Sequence, residues 1–226
     1  MSFYPICLDL EARPCVVVGG GRVAERKVMG LLFSKAQVSV ISPVLTEKLQ
    51  LQHADGNIEW IDREYRQGDL VQAFLVIAAT DDEETQKQVY EEAKANNLLL
   101  NVADVPHRCN FILPATARQG DLAISVSTAG KSPSLARKIR MELEKRYGAE
   151  YRVLVNILGA IRPQVLAFGL PQIENEQLFK QLLHDDMAEW IKSKNWESIE
   201  KHFRLVLGDR AVDDLLSEVR SVFDEE

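Results

Sequence analysis

No two cysteines in this chain stand at Cys-x-x-Cys spacing, and Cys7, Cys15 and Cys109 are too few and too scattered for a disulfide framework or a zinc knuckle. They read as reduced thiols. Cys15 opens an apolar run and reads as a small buried hydrophobe, and no redox role is expected of Cys109. No apolar stretch approaches the roughly 20 residues that a membrane-spanning helix needs. The start MSFYPICLDLEARP carries acids early and has no cationic lead before an apolar segment, so it does not read as a secretory signal. The expectation is a cytoplasmic protein with no membrane contact. Histidine is also scarce: His53, His184 and His202 fall in helical stretches without a partner at ligand spacing, and His107 reads as a loop residue. No preformed metal cage is written in the chain. Internal repeats and low-complexity linkers are absent as well.

What is present is ordinary globular composition, with 46% hydrophobic and 27% charged residues over 226 positions, enough for one large core and a smaller satellite. The net charge of −7 is unevenly placed. Residues 172–226 hold fourteen acids against seven Lys or Arg, while residues 1–171 balance at twenty of each. A global electrostatic case for nucleic acid therefore fails. Inside the neutral part, KSPSLARKIRMELEKR (131–146) gathers Lys131, Arg137, Lys138, Arg140, Lys145 and Arg146 against two glutamates. A local cationic patch suits a small polyanion better than a polymer. On charge alone, a solvated helix face with i,i+4 pairs explains it as well.

The pattern along the chain is strand and helix in alternation. PCVVVG (14–19) reads as a buried strand, Arg22 to Phe33 as an amphipathic helix, and VSVIS (38–42) as a second strand stopped by Pro43. A helix near 44–53, a weaker strand at Ile58–Ile61 and a strong one at Phe74–Ala79 follow. Asp81 stands three residues before Glu84, the spacing of a capping box, and a helix is expected from there to Asn96-Asn97. Leu98–Ala103 is the next strand, ending in Asp104. This is an α/β pattern: a Rossmann-like, mostly parallel sheet over about 1–113. The period then changes. Asn110–Thr116 and Leu122–Ser127 read as a hairpin around Gln119-Gly120-Asp121, and Ser132-Pro133 opens a helix with the stripe Leu135, Ile139, Leu143 that Gly148 ends. Beyond 150 only helical periodicity remains, punctuated by Pro163, Gly169-Leu170-Pro171 and Gly208, with Trp190, Trp196 and Phe203 read as core or interface.

Gly19-Gly20-Gly21-Arg22-Val23-Ala24 matches G-x-G-x-x-[GA] in the required context, after a strand and at the start of a helix. Gly19 permits the tight turn, Gly21 lets the backbone approach a pyrophosphate, and Ala24 is small enough for close packing of helix on strand. The amides and positive end of the helix then hold phosphate. The acid that takes the ribose hydroxyls of NAD about 20 residues on is missing: Ser42-Pro43-Val44 stands there, with no arginine for a 2′-phosphate. NAD and NADP are both left open by these residues. Reading the carboxyl ends of the strands collects Gly19 to Val23, Ser42 to Val44, Thr80 to Asp82, and Asp104. Asp104 alone has no competing helix-capping job, which makes it the candidate for proton transfer or metal contact; an Asx-type turn beside Pro106 is the bland alternative. A second anion site is readable at Ser127-Thr128-Ala129-Gly130-Lys131-Ser132-Pro133, a hydroxyl-rich Gly loop opening the basic helix, although Ser132 as a plain N-cap explains it too.

VVVGGGRVAERK (16–27), VIAATDD (76–82), NVADVPHRCNFILPA (101–115) and STAGKSPSLARKIR (127–140) together resemble the dehydrogenase portion of sirohaem synthases and their stand-alone relatives, the precorrin-2 dehydrogenases. The resemblance runs in order over about residues 3–147 and implies three parts: an NAD-binding domain (1–113), a central dimerisation region (114–150) and a C-terminal helical domain (151–226), in a homodimer. It implies oxidation of precorrin-2 to sirohydrochlorin with NAD, Asp104 matching the family's important aspartate. In some members that residue also assists metal insertion, so a ferrochelatase activity is an alternative, with Asp104 the metal contact; a nucleotide-sensing module without catalysis is another. Thr128 stands where some relatives carry serine. Against a substrate with eight carboxylates, Arg118, Ser127, Thr128, Lys131, Ser132, Arg137, Lys138 and Arg140 become steering and holding groups.

Overall fold

The computed structural model describes residues 3–210 and 213–224. Its contacts divide the chain between Leu113 and Pro114 into two compact units.

The first unit is a sheet of five parallel strands, β1 (Pro14–Val18), β2 (Gln37–Ile41), β3 (Ile58–Ile61), β4 (Leu75–Ala78) and β5 (Leu99–Val102), in the order β3-β2-β1-β4-β5. Three helices connect them: α1 (Arg22–Phe33), α2 (Glu47–Ala54) and α3 (Glu83–Ala95). Strands buried on both faces carry apolar residues at every position, as β4 does with Leu-Val-Ile-Ala, all buried. The two faces separate by parity. Cys15, Val17, Val38, Val40, Leu75 and Ile77 pack under α1 and α2 with Ala24, Val28, Leu31 and Leu49. Val16, Val18, Ile41, Val76, Leu100 and Val102 pack on the other side with Val89 and Ala93 of α3. At about 1.5–3 kcal/mol for each fully buried aliphatic side chain, this double layer supplies most of the unit's stabilisation.

One helix of the alternation is missing. Between β3 and β4 the chain makes turns only, and Tyr65, Leu70 and Ala73 take the place of a helix on the α3 side. Glu92 of α3 holds that segment down. Its buried carboxylate accepts from Gly68 N (2.8 Å), Leu70 N (3.0 Å) and the Tyr65 hydroxyl, so three donors satisfy one charge that burial would otherwise penalise. The connection leaves a groove of about 680 Å³ against β1–β3, lined in part by Ser39, Glu59 and Val71.

The second unit begins with an antiparallel hairpin, β6 (Ala115–Gln119) and β7 (Leu122–Val126), followed by α4 (Pro133–Arg146). Five further helices, α5 (Glu150–Ala167), α6 (Gln172–Leu182), α7 (Met187–Lys192), α8 (Trp196–Leu207) and α9 (Asp213–Asp224), share one core around Ile157, Ile161, Met187, Ile199 and Phe203. Trp196 and Phe203 lie in it, and Trp190 packs against it and stacks on His184. Among the described residues, no helix is long and apolar enough to cross a membrane.

Several local expectations are corrected. The N-cap of α3 is Asp82, which accepts from Thr85 N at 2.7 Å; Asp81 stands one residue outside, because Glu83 already has helical geometry. The first hairpin strand starts at Ala115, since Asn110 is drawn to the outer edge of β5, accepting from Leu100 N (2.8 Å) and donating to Leu98 O (2.7 Å). Pro163 lies inside α5 and does not break it. On α4 only Ala136 is buried; of the expected stripe Ile139 and Leu143 are half-buried against the hairpin, while Leu135 is 48% exposed.

Candidate functional site

Strand order decides what meets what in the first unit. β1 and β4 are hydrogen-bonded neighbours, yet the helix after β1 crosses to one face and the helix after β4 to the other. That divergence is a topological switch point, where open α/β sheets bind their ligands beyond the strand ends. Gly19 to Val23 follow β1, Ser42 to Val44 follow β2, Thr80 follows β4 and Asp104 follows β5. Four separate stretches of sequence thus arrive along one edge of the sheet.

The three glycines are needed for three different reasons. Gly19 has φ +115°, and a Cβ there would stand 2.3 Å from Ala79 O, because the turn is pressed against the end of β4. At Gly20 a Cβ would stand 1.9 Å from Val44 O, so the loop after β2 sits directly on the glycine turn; Thr46 N donates to Gly20 O at 3.0 Å in the same contact. At Gly21 nothing lies within 4 Å of a Cβ. Gly21 is also the N-cap of α1, with no side chain capping the helix, and the first helical bond is Glu25 N to Gly21 O at 2.9 Å. The amides of Arg22, Val23 and Ala24 precede that bond and lack helical acceptors. Open space in front of uncapped amides at the positive end of a helix fits a diphosphate. Gly20 is the residue that motif reasoning undervalues: it fills an unrestricted position in the pattern, and only the fold brings Val44 against it.

Ser42 is 9% exposed and its hydroxyl donates to Val44 O at 2.8 Å, while its carbonyl accepts from Trp60 Nε1 at 2.8 Å. The serine therefore shapes the loop. Pro43 and Val44 are exposed beside it. Thr80 is tied into the start of α3, its hydroxyl accepting from Asp82 N (3.2 Å) and its carbonyl from Gln86 Nε2 (2.7 Å).

Asp104 is exposed and lies in the left-handed region, φ +60°. Among non-glycine residues aspartate is one of the few that tolerates this conformation, and such positions concentrate at functional sites. No hydrogen bond or ion pair within the described residues engages its carboxylate. The loop around it is fixed instead by Cys109, whose thiol accepts from Val102 N (3.2 Å) and donates toward Val102 O (3.3 Å) and Val105 O (3.4 Å). Cys15 is 1% exposed in the core, and burial pushes its thiol up to about 11. His107 is exposed in a single turn at 106–108. Among the described residues no group of three or more His, Cys, Asp or Glu could hold a metal ion.

In the second unit the 127–132 loop binds itself. Ser127 Oγ accepts from Ala129 N (3.1 Å), Thr128 Oγ1 from Ser132 N (3.0 Å), and Ser132 Oγ caps α4 by accepting from Leu135 N (3.3 Å). Lys131, Arg137 and Lys138 are exposed, as is Arg118 on β6. Arg140 pairs with Glu144 one turn on, the i,i+4 arrangement.

The doubly wound sheet and its uncapped glycine turn define a nucleotide-binding protein of the Rossmann class. Residues 6–115 match the family described as "Putative NAD(P)-binding", and residues 119–146 the one described as "Sirohaem biosynthesis protein central". The chain is 39% identical over 165 residues to "Siroheme synthase 1" of Pectobacterium atrosepticum, covering 73% of this chain and 34% of that protein. It is 34% identical over 202 residues to "Siroheme synthase" of Zymomonas mobilis, covering 89% and 43%. The chain thus spans less than half the length of these relatives. A solved structure titled "SirC, precorrin-2 dehydrogenase" has the same fold, with a TM-score of 0.73 at 24% identity over 99% of this chain and 100% of that one. The chain belongs to the sirohaem synthase family, matching its NAD(P)-binding and central portions.

Proposed function

We propose that this chain oxidises precorrin-2 to sirohydrochlorin with NAD as the acceptor. The observation that carries the reading is the pairing, on one sheet edge, of uncapped amides facing open space at Gly21 with the unpaired Asp104 carboxylate two strands away. The amides of Arg22 to Ala24 bind the diphosphate, and the glycine turn, held by Val44 and Ala79, sets its depth. The nicotinamide supplies the hydride acceptor. Asp104 takes the proton released as the substrate loses two hydrogens, so that precorrin-2 and NAD⁺ become sirohydrochlorin, NADH and a proton. Arg118, Lys131, Arg137, Lys138 and Arg140 hold peripheral carboxylates, with Ser127, Thr128 and Ser132 ordering the loop that opens α4.

The chain acts as a homodimer through its central region, 114–150. A two-stranded hairpin is marginal alone, and α4 leaves Leu135 and Met141 half exposed, at 48% and 44%. The exposed, unpaired Asp104 also favours a second reading, insertion of ferrous iron into sirohydrochlorin at the same carboxylate.

Incubation with precorrin-2 and NAD, followed at the NADH absorbance, tests the main reading: turnover is expected, and NAD binding without turnover would indicate a sensor. In Asp104→Asn, which keeps tolerance for the left-handed backbone, NAD affinity is unchanged and turnover falls by about 10²-fold or more. An unchanged rate removes Asp104 from the mechanism. Ferrous iron added to sirohydrochlorin reports the second activity by the change in its visible spectrum.

A further inference from the structure

The two flanks of α1 carry opposite charges that are treated differently. On the side toward β2, Glu25 is latched, accepting from Thr46 Oγ1 at 2.8 Å with Lys48 at 3.9 Å. Lys27 lies on the other flank, about 160° away around the helix. It is half buried, and because α1 packs across β1 between β2 and β4, the flank opposite Glu25 is the one toward β4; Asp104 and Cys109 both act on it electrostatically. No hydrogen bond or ion pair within 4.0 Å engages its ammonium among the described residues, and none engages Asp104. Lys27 and Asp104 thus interact through space without forming an ion pair. Helical side chains lean toward the N-terminus, and Lys27 is five residues, about 7.5 Å along the axis, from the start of α1. Its long stem therefore carries the ammonium toward the edge of the sheet where the strands end.

We propose that Lys27 is a substrate-binding residue of the site described above: its ammonium takes a carboxylate at the periphery of a polycarboxylate macrocycle, and so fixes which edge of the ring meets Asp104. A half-buried cation with no anion in contact is costly to keep, and a ligand carboxylate bonded to it removes that cost. Burial first, and Arg26 second, hold the Lys27 ammonium below the usual lysine range, while Asp104 and Cys109 pull it back. The group stands ready to gain from an added anion. Lys27 sits on the helix whose first turn grips the cofactor, so one element would register both ligands. This inference rests on the tetrapyrrole reading, and its test separates the two.

Uroporphyrin, a stable macrocycle with eight carboxylates, serves as the probe by its fluorescence, beside calorimetry with NAD and thermal unfolding. In Lys27→Met, uroporphyrin affinity is expected to fall about tenfold or more, the scale of one charge-assisted hydrogen bond. NAD affinity stays within about twofold and the unfolding midpoint does not move, while KM for precorrin-2 rises more than kcat falls. Lys27→Arg retains most of the affinity. Uroporphyrin binding by Lys27→Met within about twofold of wild type overturns the inference and leaves the parent reading standing. So does a variant pair in which Met and Arg lose affinity and thermal stability alike, which marks a structural role. Wild-type protein that takes up NAD but not uroporphyrin overturns the tetrapyrrole reading and this inference with it.

Discussion

Single positions in this chain illustrate how little residue type says without surroundings. Gly20 and Gly21 are adjacent and identical, but a Cβ at Gly20 collides with the Val44 carbonyl while one at Gly21 meets nothing. Gly20→Ala is therefore expected to destabilise the fold by about 1–3 kcal/mol, since backbone on both sides must move, and to lose NAD binding with it. Gly21→Ala should unfold at the wild-type midpoint and still bind NAD about tenfold or more weakly, because the methyl occupies ligand space. Calorimetric titration beside thermal unfolding distinguishes the two, and equal behaviour would contradict the geometry. The G-x-G-x-x-[GA] pattern was legible because it is local. The need for glycine at position 20 was not, because its cause lies 24 residues away. Ser42 shows the same limit: its type suggests a ribose contact, and its hydroxyl is committed to the Val44 carbonyl.

Elements were read well where burial enforces a period and less well where a side chain intervenes. The apolar strands β1 and β4, β5 with its single polar Asn101, and the amphipathic α1 stand within a residue of their expected limits. The edge of β5 shows the opposite case: Asn110 pairs with backbone of Leu98 and Leu100, so a residue expected in the hairpin serves the parallel sheet. Between β3 and β4, where no element is expected from the sequence, side-chain ties hold the turns. There Arg63 grips Asp69 through two bonds of 2.7 Å and Arg66 N adds a third at 2.8 Å. The Arg63 guanidinium, above all, holds the Asp69 carboxyl below the usual aspartate range. A depressed folded-state value means stability that is present above the unfolded-state value and is lost as pH falls through the folded one. Asp69→Asn should accordingly lower the unfolding midpoint by a few degrees at neutral pH. The gap to wild type should close as acid protonates Asp69 in both states, and a gap independent of pH would refute the assignment.

At the scale of the whole molecule, the proposed homodimer is tested on the α4 face that leaves Leu135 and Met141 half exposed. Sedimentation equilibrium is expected to give twice the 25.5 kDa chain mass, and Leu135→Glu, placed on the exposed α4 face, should shift it toward the monomer without loss of helix content. A wild-type protein that stays monomeric at micromolar concentration would remove the dimer from the proposal. The sequence by itself determined the Rossmann-class sheet, the glycine turn that opens α1, the absence of an NAD-type acid after β2 and the helical character beyond 150, since each follows from short-range periodicity or a contiguous motif. Only the tertiary structure decided that Val44 and Ala79 hold the glycine turn, that Cys109 fixes the loop carrying Asp104, and that Lys27 lies within electrostatic reach of that carboxylate without an ion pair. Those relations join residues from separate strands and helices, and strand order, which no local pattern encodes, is what brings them to one edge of the sheet.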